Sequence, residues 1–501
     1  MENNAYYQVM TAENMPMTVY DMVRAMKENY AERPAFRYVQ GTDTVVEKSY
    51  AQFVEDICRM TGYLQQELGE CKGKKVVILS RTNYEYGVNT FGIMLAGAVL
   101  VTLNQGKTWA ELEYELGQVE PDLILNDGID YGCRGQLEAA YGAKLRPMDV
   151  WHGSAPAELV NRIDPNGLLM LMFTSGTTGR SKGVMLSEKN YFAASKMYIN
   201  GQGVIPEYAR KLTAPLEQPI AHFTLVPMFH LAGFICYFVY GIQGWTLNLC
   251  CDARDLRRDL SLMKSDAMST PPVLVEMVYN EIKRGHQDRL NGLWNLSCSS
   301  AILDPEILKV LTEHGFYINQ CYSMTELAGY GLLNLAQDGD HLRALGKPDG
   351  FCEIKLDESG EICVRGDCVM LGYYKDPEAT AEVIDAEGWL HTGDLAREDA
   401  EGYIYMTGRK KNLIILDSGE NVSPEELEKL LGKCGKIKEC IVREMGKKIG
   451  TVVCCDEADQ PEVRAFVTEL NRTLPLYKRI SVVEFSAEPL PRNALGKLLR
   501  K

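Results

Sequence analysis

Residues 169–184 restrict this chain more than any other stretch. The apolar run Leu169-Met170-Leu171-Met172-Phe173 predicts a buried strand, and it passes directly into Thr174-Ser175-Gly176-Thr177-Thr178-Gly179-Arg180-Ser181-Lys182-Gly183, ten residues with three Gly, five hydroxyls and a Lys. Glycine frees φ, and backbone N–H groups, hydroxyls and a cation together form a concavity suited to phosphate. The segment is not a Walker A loop, which needs Lys directly after the last Gly and then a hydroxyl. Here Arg180 and Ser181 separate Gly179 from Lys182, and Gly183 follows. A Gly- and Ser-rich surface loop is the alternative; the strand before it and the Lys within it favour phosphate.

A buried strand needs a sheet to sit in, and the first half of the chain supplies one. Apolar positions recur at helical spacing over 18–31 and 49–69, in the second as Phe53, Ile57, Met60, Leu64 and Leu68, ahead of the run Val76-Val77-Ile78-Leu79. The pattern returns at 92–96 into Val99-Leu100-Val101 and at 111–116 into Leu123-Ile124-Leu125, the alternation of an α/β layer architecture with a parallel sheet. After about residue 340, short strands and turns at 353–356, 360–366 and 402–405 predict a small β-rich part. Beyond Arg409, a strand at 413–416, helices at 424–431 and 462–470 and a strand at 480–485 predict a compact α+β tail. The expected fold class is α/β: a large N-terminal domain (1–409) of layered α/β subdomains with a small β-rich part, then a small α+β C-terminal domain (410–501). No internal repeat or low-complexity segment interrupts this plan.

Composition narrows the partners. With 46% hydrophobic and 24% charged residues the proportions are globular, and 53 Lys plus Arg against 68 Asp plus Glu give a net charge of −15. Such a field repels polyanions, so a nucleic-acid partner is not expected, although one local nest with a Lys can still bind a small anion. The 15 Cys are odd in number and lack C-x-x-C spacing, which fits reduced thiols in a cytosol. The first residues lack a basic region followed by an apolar run, and the apolar stretch from 221 to 250 is broken by Pro227, His230 and several Gly. Neither a secretory signal nor a membrane anchor is expected, and the expected location is cytoplasmic.

The run from Phe173 to Gly183 resembles the signature of the adenylate-forming superfamily: acyl- and aryl-CoA ligases, amino-acid adenylation domains and luciferases. Further along stand Pro227-Met228-Phe229-His230-Leu231-Ala232-Gly233, Tyr322-Ser323-Met324-Thr325-Glu326, Gly388-Trp389-Leu390-His391-Thr392-Gly393-Asp394, Gly408-Arg409-Lys410-Lys411 and Pro491-Arg492-Asn493-Ala494-Leu495-Gly496-Lys497. Together these make six motifs in the family's order. The resemblance implies a carboxylate attacking the α-phosphate of ATP, departure of pyrophosphate, and displacement of AMP by a thiol. Such chemistry depends on positioning and on neutralising charge rather than on a protein nucleophile. It implies ATP and CoA as co-substrates, Mg²⁺ as cofactor, a small carboxylic acid as substrate, and a C-terminal domain that is mobile.

The roles that the resemblance implies fall on particular residues. Thr174, Ser175, Gly176, Thr177, Thr178, Gly179 and Lys182 would hold the phosphates; Tyr322 would stack near the adenine, Thr325 meet the α-phosphate and Glu326 hold Mg²⁺. Glu326 also suits a hard cation by its own chemistry. Position 323 is usually Gly, so Ser323 would be strained if the backbone there needed φ > 0; alone, Ser323 to Glu326 would suggest a capping box. Asp394 and Arg409 would bind the ribose, Lys411 would be the hinge, Gly419 would lie on the CoA-side loop, and Lys497 would swing in for adenylation. His230 would sit beside the acyl carboxylate, or else be a core histidine. Phe234, Ser299, Ser300, Ala301 and Cys321 would line the acyl pocket. The segment 440–450 is shorter than is usual in the family. The expected activity is an AMP-forming acyl-CoA ligase; the alternatives are a ligase that loads a carrier protein, and a non-catalytic nucleotide-binding relative.

Overall fold

The computed structural model describes residues 11–174, 181–205, 207–208, 219–299, 305–338, 341–415, 421–446, 448–492 and 498. The chain divides into two compact units, residues 1–353 with 364–390, and residues 354–363 with 391–501.

Local signals place the first helices. Ser49 caps the helix Tyr50–Leu68 in a reciprocal capping box with Gln52, and Phe53, Ile57, Met60 and Leu64 then share one buried face. Burying each such side chain favours folding by roughly 1.5–3 kcal/mol. The next helix, Tyr84–Leu95, is buried almost all round. Gly92 is required there, since a Cβ would come within 2.5 Å of Met60.

The first unit holds two large sheets. One has seven strands in the order Gly372–Tyr373, Lys182–Leu186, Met170–Thr174, Val99–Thr102, Lys75–Leu79, Leu123–Asn126 and Leu145–Pro147. Its centre is parallel, as expected, but Met170–Thr174 and Lys182–Leu186 pair antiparallel with Thr174 opposite Lys182. The segment between Thr174 and Lys182 therefore joins two antiparallel strands. The other sheet has eight strands, in the order Gly331–Asn334, Tyr317–Ser323, Asn295–Ser299, Ala267–Thr270, Ala221–Thr224, Thr246–Leu249, Pro34–Gln40 and Thr44–Ser49. Helices Glu188–Val204 and Leu231–Gln243 pack on each other, with Tyr191 stacked on Phe238 at 4.8 Å.

A four-stranded sheet, most of its residues in the second unit, runs Glu353–Leu356, Glu361–Arg365, Leu390–Glu398 and Ile404–Arg409. The tail adds a sheet of Glu439–Met445, Lys448–Cys454 and Val482–Ser486, with helices Pro424–Leu431 and Gln460–Thr473 covering a core that includes Val422, Leu427 and Val442. The strand expected at 413–416 is only Ile414–Ile415 among the described residues. No helix among the described residues is long and apolar enough to cross a membrane.

Candidate active site

In the first unit the hairpin fixes one wall. Thr174 ends its strand and Lys182 opens the next, and the strand Lys182–Leu186 also pairs with Gly372–Tyr373. That pairing brings the Tyr373 ring under the Lys182 ammonium, 4.7 Å from the centroid. The Tyr373 hydroxyl donates to Glu326 Oε1 at 2.9 Å, and burial pushes that phenol well above its usual range, so it remains a donor. The Met370 N–H also donates to the Glu326 carbonyl at 2.9 Å, which holds the turn Thr325–Leu327 in place. Lys182, Tyr373 and Glu326, far apart in sequence, thus form one connected group. Beside it Ser181 donates to Glu115 at 2.6 Å, and the wholly buried Glu115 is paired with Lys107. Ser181 is thereby tied to the helix Trp109–Val119.

Tyr322 and Ser323 lie in the strand Tyr317–Ser323, and Thr325 and Glu326 in the turn after it, all half-buried. The capping-box alternative is not what forms: Met324 precedes the short helix and no side chain caps it. Ser323 is not among the residues with positive φ, so the expected strain is absent. The close approach falls instead on Gly331, where a Cβ would stand 2.0 Å from the Tyr322 carbonyl. His230 caps the helix Leu231–Gln243, its Nδ1 accepting from the Ala232 N–H at 3.2 Å. With Nδ1 an acceptor, a neutral ring carries its proton on Nε2.

A cavity of about 50 Å³ opens next to these groups, bounded by Ala232 and Cys236 on one helix, Tyr198 on another, and Cys321 and Ser323 on the strand that leads to Thr325. Tyr198 donates to the Gly329 carbonyl at 3.0 Å and touches Cys321 Sγ at 3.1 Å. Burial pushes the Cys236 thiol up to about 12 and raises Cys321 and Tyr198, so these walls are uncharged at neutral pH. Of the expected pocket residues, Cys321 lines this cavity, while Phe234 does not. Phe234 is fully buried against Tyr191, Tyr237 and Phe238. Ser299 closes its strand opposite Cys321. Nothing local in the sequence marks Tyr373, Glu115 or Tyr198; the alternation of polar residues in Asn295-Leu296-Ser297 is one signal that points to more of the cavity.

In the second unit Asp394 and Arg409 face each other across paired strands, joined Nε to Oδ1 at 2.9 Å. Lys410 binds Glu361 at 2.7 Å, and Lys411 follows in the short helix Lys410–Asn412. Gly408 is required where a Cβ would meet Ser423 Oγ at 2.4 Å, since Ser423 caps the helix Pro424–Leu431. Asp357, Cys363 and His391 offer ligand atoms within 4.8 Å of one another, but thiol and imidazole are softer donors than Mg²⁺ takes. Ser175, Gly176, Thr177, Thr178, Gly179, Ser300, Ala301, Gly419 and Lys497 lie outside the described residues.

Residues 23–374 match the family described as AMP-binding enzyme, and the chain belongs to that family, within the adenylate-forming superfamily. Curated relatives span nearly all of it. A 4-coumarate--CoA ligase-like 9 of Oryza sativa subsp. japonica is 28% identical over 534 aligned residues, 97% of this chain and 92% of the relative. A long-chain-fatty-acid--CoA ligase of Escherichia coli O157:H7 is 28% identical over 547, 97% of this chain and 93% of the relative. The fold matches O-succinylbenzoate Coenzyme A Synthetase (MenE) from Bacillus subtilis in complex with ATP and magnesium ion. That likeness has TM-score 0.79 at 24% identity, covering 96% of this chain and 98% of the other.

Proposed function

We propose that this chain activates a carboxylic acid with ATP to an acyl-adenylate and then passes the acyl group to CoA. An AMP-forming, ATP-dependent acid–CoA ligase is the activity on which the family, the relatives and the motifs agree. The observation that carries the finer reading is the Lys182, Tyr373 and Glu326 group beside the hairpin. The Lys182 ammonium offers a point charge to phosphate oxygens, and the Thr174 and Thr325 hydroxyls offer hydrogen bonds beside it.

Glu326 fits a hard cation by its donor chemistry: a carboxylate with Oε1 fixed by Tyr373, next to a hydroxyl-bearing residue. Mg²⁺ held there would neutralise charge on the phosphates. His230, with its Nδ1 engaged, directs Nε2–H as a donor for the substrate carboxylate. Asp394 accepts from ribose hydroxyls, with Arg409 fixing the carboxylate. Lys497 delivers positive charge for adenylation, and the domain from residue 410 onward turns about Lys411 between half-reactions. Reaction in the cytoplasm fits reduced thiols, since none of the fifteen Cys forms a disulfide.

Acid-dependent exchange of labelled pyrophosphate into ATP, followed by thioester formation on adding CoA, tests the reading. Exchange without thioester formation, together with loading of a purified carrier protein, would move the acceptor from CoA to a carrier; no exchange with any acid would leave a nucleotide-binding relative.

A further inference from the structure

The inner end of the cavity carries a directed chain of hydrogen bonds. Strands Asn295–Ser299 and Tyr317–Ser323 run parallel with Asn295 opposite Tyr317 and Ser297 opposite Asn319, and Asn295, Ser297 and Asn319 all line the cavity. The Asn295 amide donates to the Tyr317 carbonyl at 3.2 Å, and a carbonyl can only accept, so the orientation of that side chain is fixed. The rest follows from it. Tyr208 O–H donates to Asn295 Oδ1 at 3.1 Å, Asn295 Nδ2 to Asn319 Oδ1 at 3.1 Å, and Asn319 Nδ2 to Ser297 Oγ at 2.8 Å. Each donor is polarised by the one before it. Ser297 stands at the end with its oxygen already accepting, and what it has to give is its own proton.

Three further facts set what can receive that proton. Asn319 lies four residues before Ser323 along its strand, so Ser297 is roughly 13 Å from the end where Thr325 and Glu326 follow. None of the described residues lining the cavity carries a formal charge, which makes a second carboxylate or an ammonium group costly to bury there. The cavity, at about 50 Å³, is also smaller than the roughly 150 Å³ that admits one benzene ring, so a short chain fits best, a single ring is the upper limit and must shift the walls, and a long alkyl chain would have to displace them altogether.

Building on the ligase reading, we infer that the substrate is a compact carboxylic acid, no larger than a single ring or a short chain, bearing a neutral acceptor oxygen far from its carboxylate, and that Ser297 selects it by donating to that oxygen. Ser297 is the specificity-determining residue; Asn319 and Asn295 position it.

The test is pyrophosphate exchange with matched acids: para-hydroxybenzoate against para-methylbenzoate, omega-hydroxypentanoate against hexanoate, and palmitate as the long-chain arm. The hydroxylated member of at least one pair should be favoured by roughly 10- to 100-fold in kcat/KM over its methyl partner, with palmitate poorest. Ser297→Ala should reduce that ratio about tenfold, and Ser297→Thr, which keeps the hydroxyl, should restore it. Equal or better use of the methyl acids or of palmitate, or an unchanged ratio in Ser297→Ala with native circular dichroism, overturns the inference while leaving a ligase. Exchange with none of these acids overturns the inference, and the ligase reading falls only if no other acid supports exchange either.

Discussion

Around Glu326 the polar groups are few, charged and half-exposed; around Ser297 they are many, neutral and bonded to one another. The contrast follows from what each side has to do. A charge held dry costs several kcal/mol unless it is paired, which accords with the half-exposure of Lys182 and Glu326. A neutral hydrogen-bonded chain can stay buried, because every link but the last is satisfied within the protein. The charged side therefore depends on single residues, and the neutral side on the register of two strands.

The contrast breaks most sharply at Lys497. If charge is delivered only to the nucleotide side, and only during adenylation, Lys497→Ala should lose acyl-adenylate formation by roughly 10²-fold or more. The same variant, given pre-formed acyl-adenylate and CoA, should still make thioester. Stopped assays of the two half-reactions read this directly, and equal loss in both would remove the division of labour.

Smaller effects should separate Glu326 from the residue that holds it. Glu326→Gln keeps the shape but removes the charge, so the Mg²⁺ concentration for half-maximal exchange should rise by about tenfold or more. Tyr373→Phe deletes only the hydrogen bond to Oε1, and its shift should be about two- to fivefold in the same direction. Matching titrations for wild type and both variants would show that this carboxylate does not serve the metal.

An effect on stability rather than activity sharpens the comparison by moving outside the site. Glu188 is a buried acid with one hydrogen-bond donor among the described residues, the Val19 N–H at 2.6 Å, and burial raises its carboxyl from 4.5 to about 7. The folded state thus holds this proton more tightly than the unfolded one. Its contribution to stability is fully present below about pH 4.5 and is lost as pH rises through 7, by at most about 3 kcal/mol. Glu188→Gln should remove that slope, so that urea midpoints of the variant gain on wild type between pH 5 and pH 8. A constant difference across that range would contradict the burial.

The sequence by itself determined the layered α/β plan, through helical spacing at Phe53, Ile57 and Met60 and the runs at 76–79 and 123–125. It also determined the family, because the motif residues are contiguous in the chain. Chemistry that needs a glycine, a hydroxyl and a lysine within ten residues leaves a local mark. Tyr373 beneath Lys182, Gly331 against Tyr322, and the chain from Tyr208 to Ser297 leave none. They exist only because strands distant in sequence pair in one register, and a shift of one residue would turn Ser297 and Asn319 to the opposite face. Tertiary structure alone decided the hairpin at Thr174 and Lys182, the placing of Phe234 in an aromatic core, and the neutral end of the cavity, since pairing and burial are properties of the folded assembly rather than of any segment.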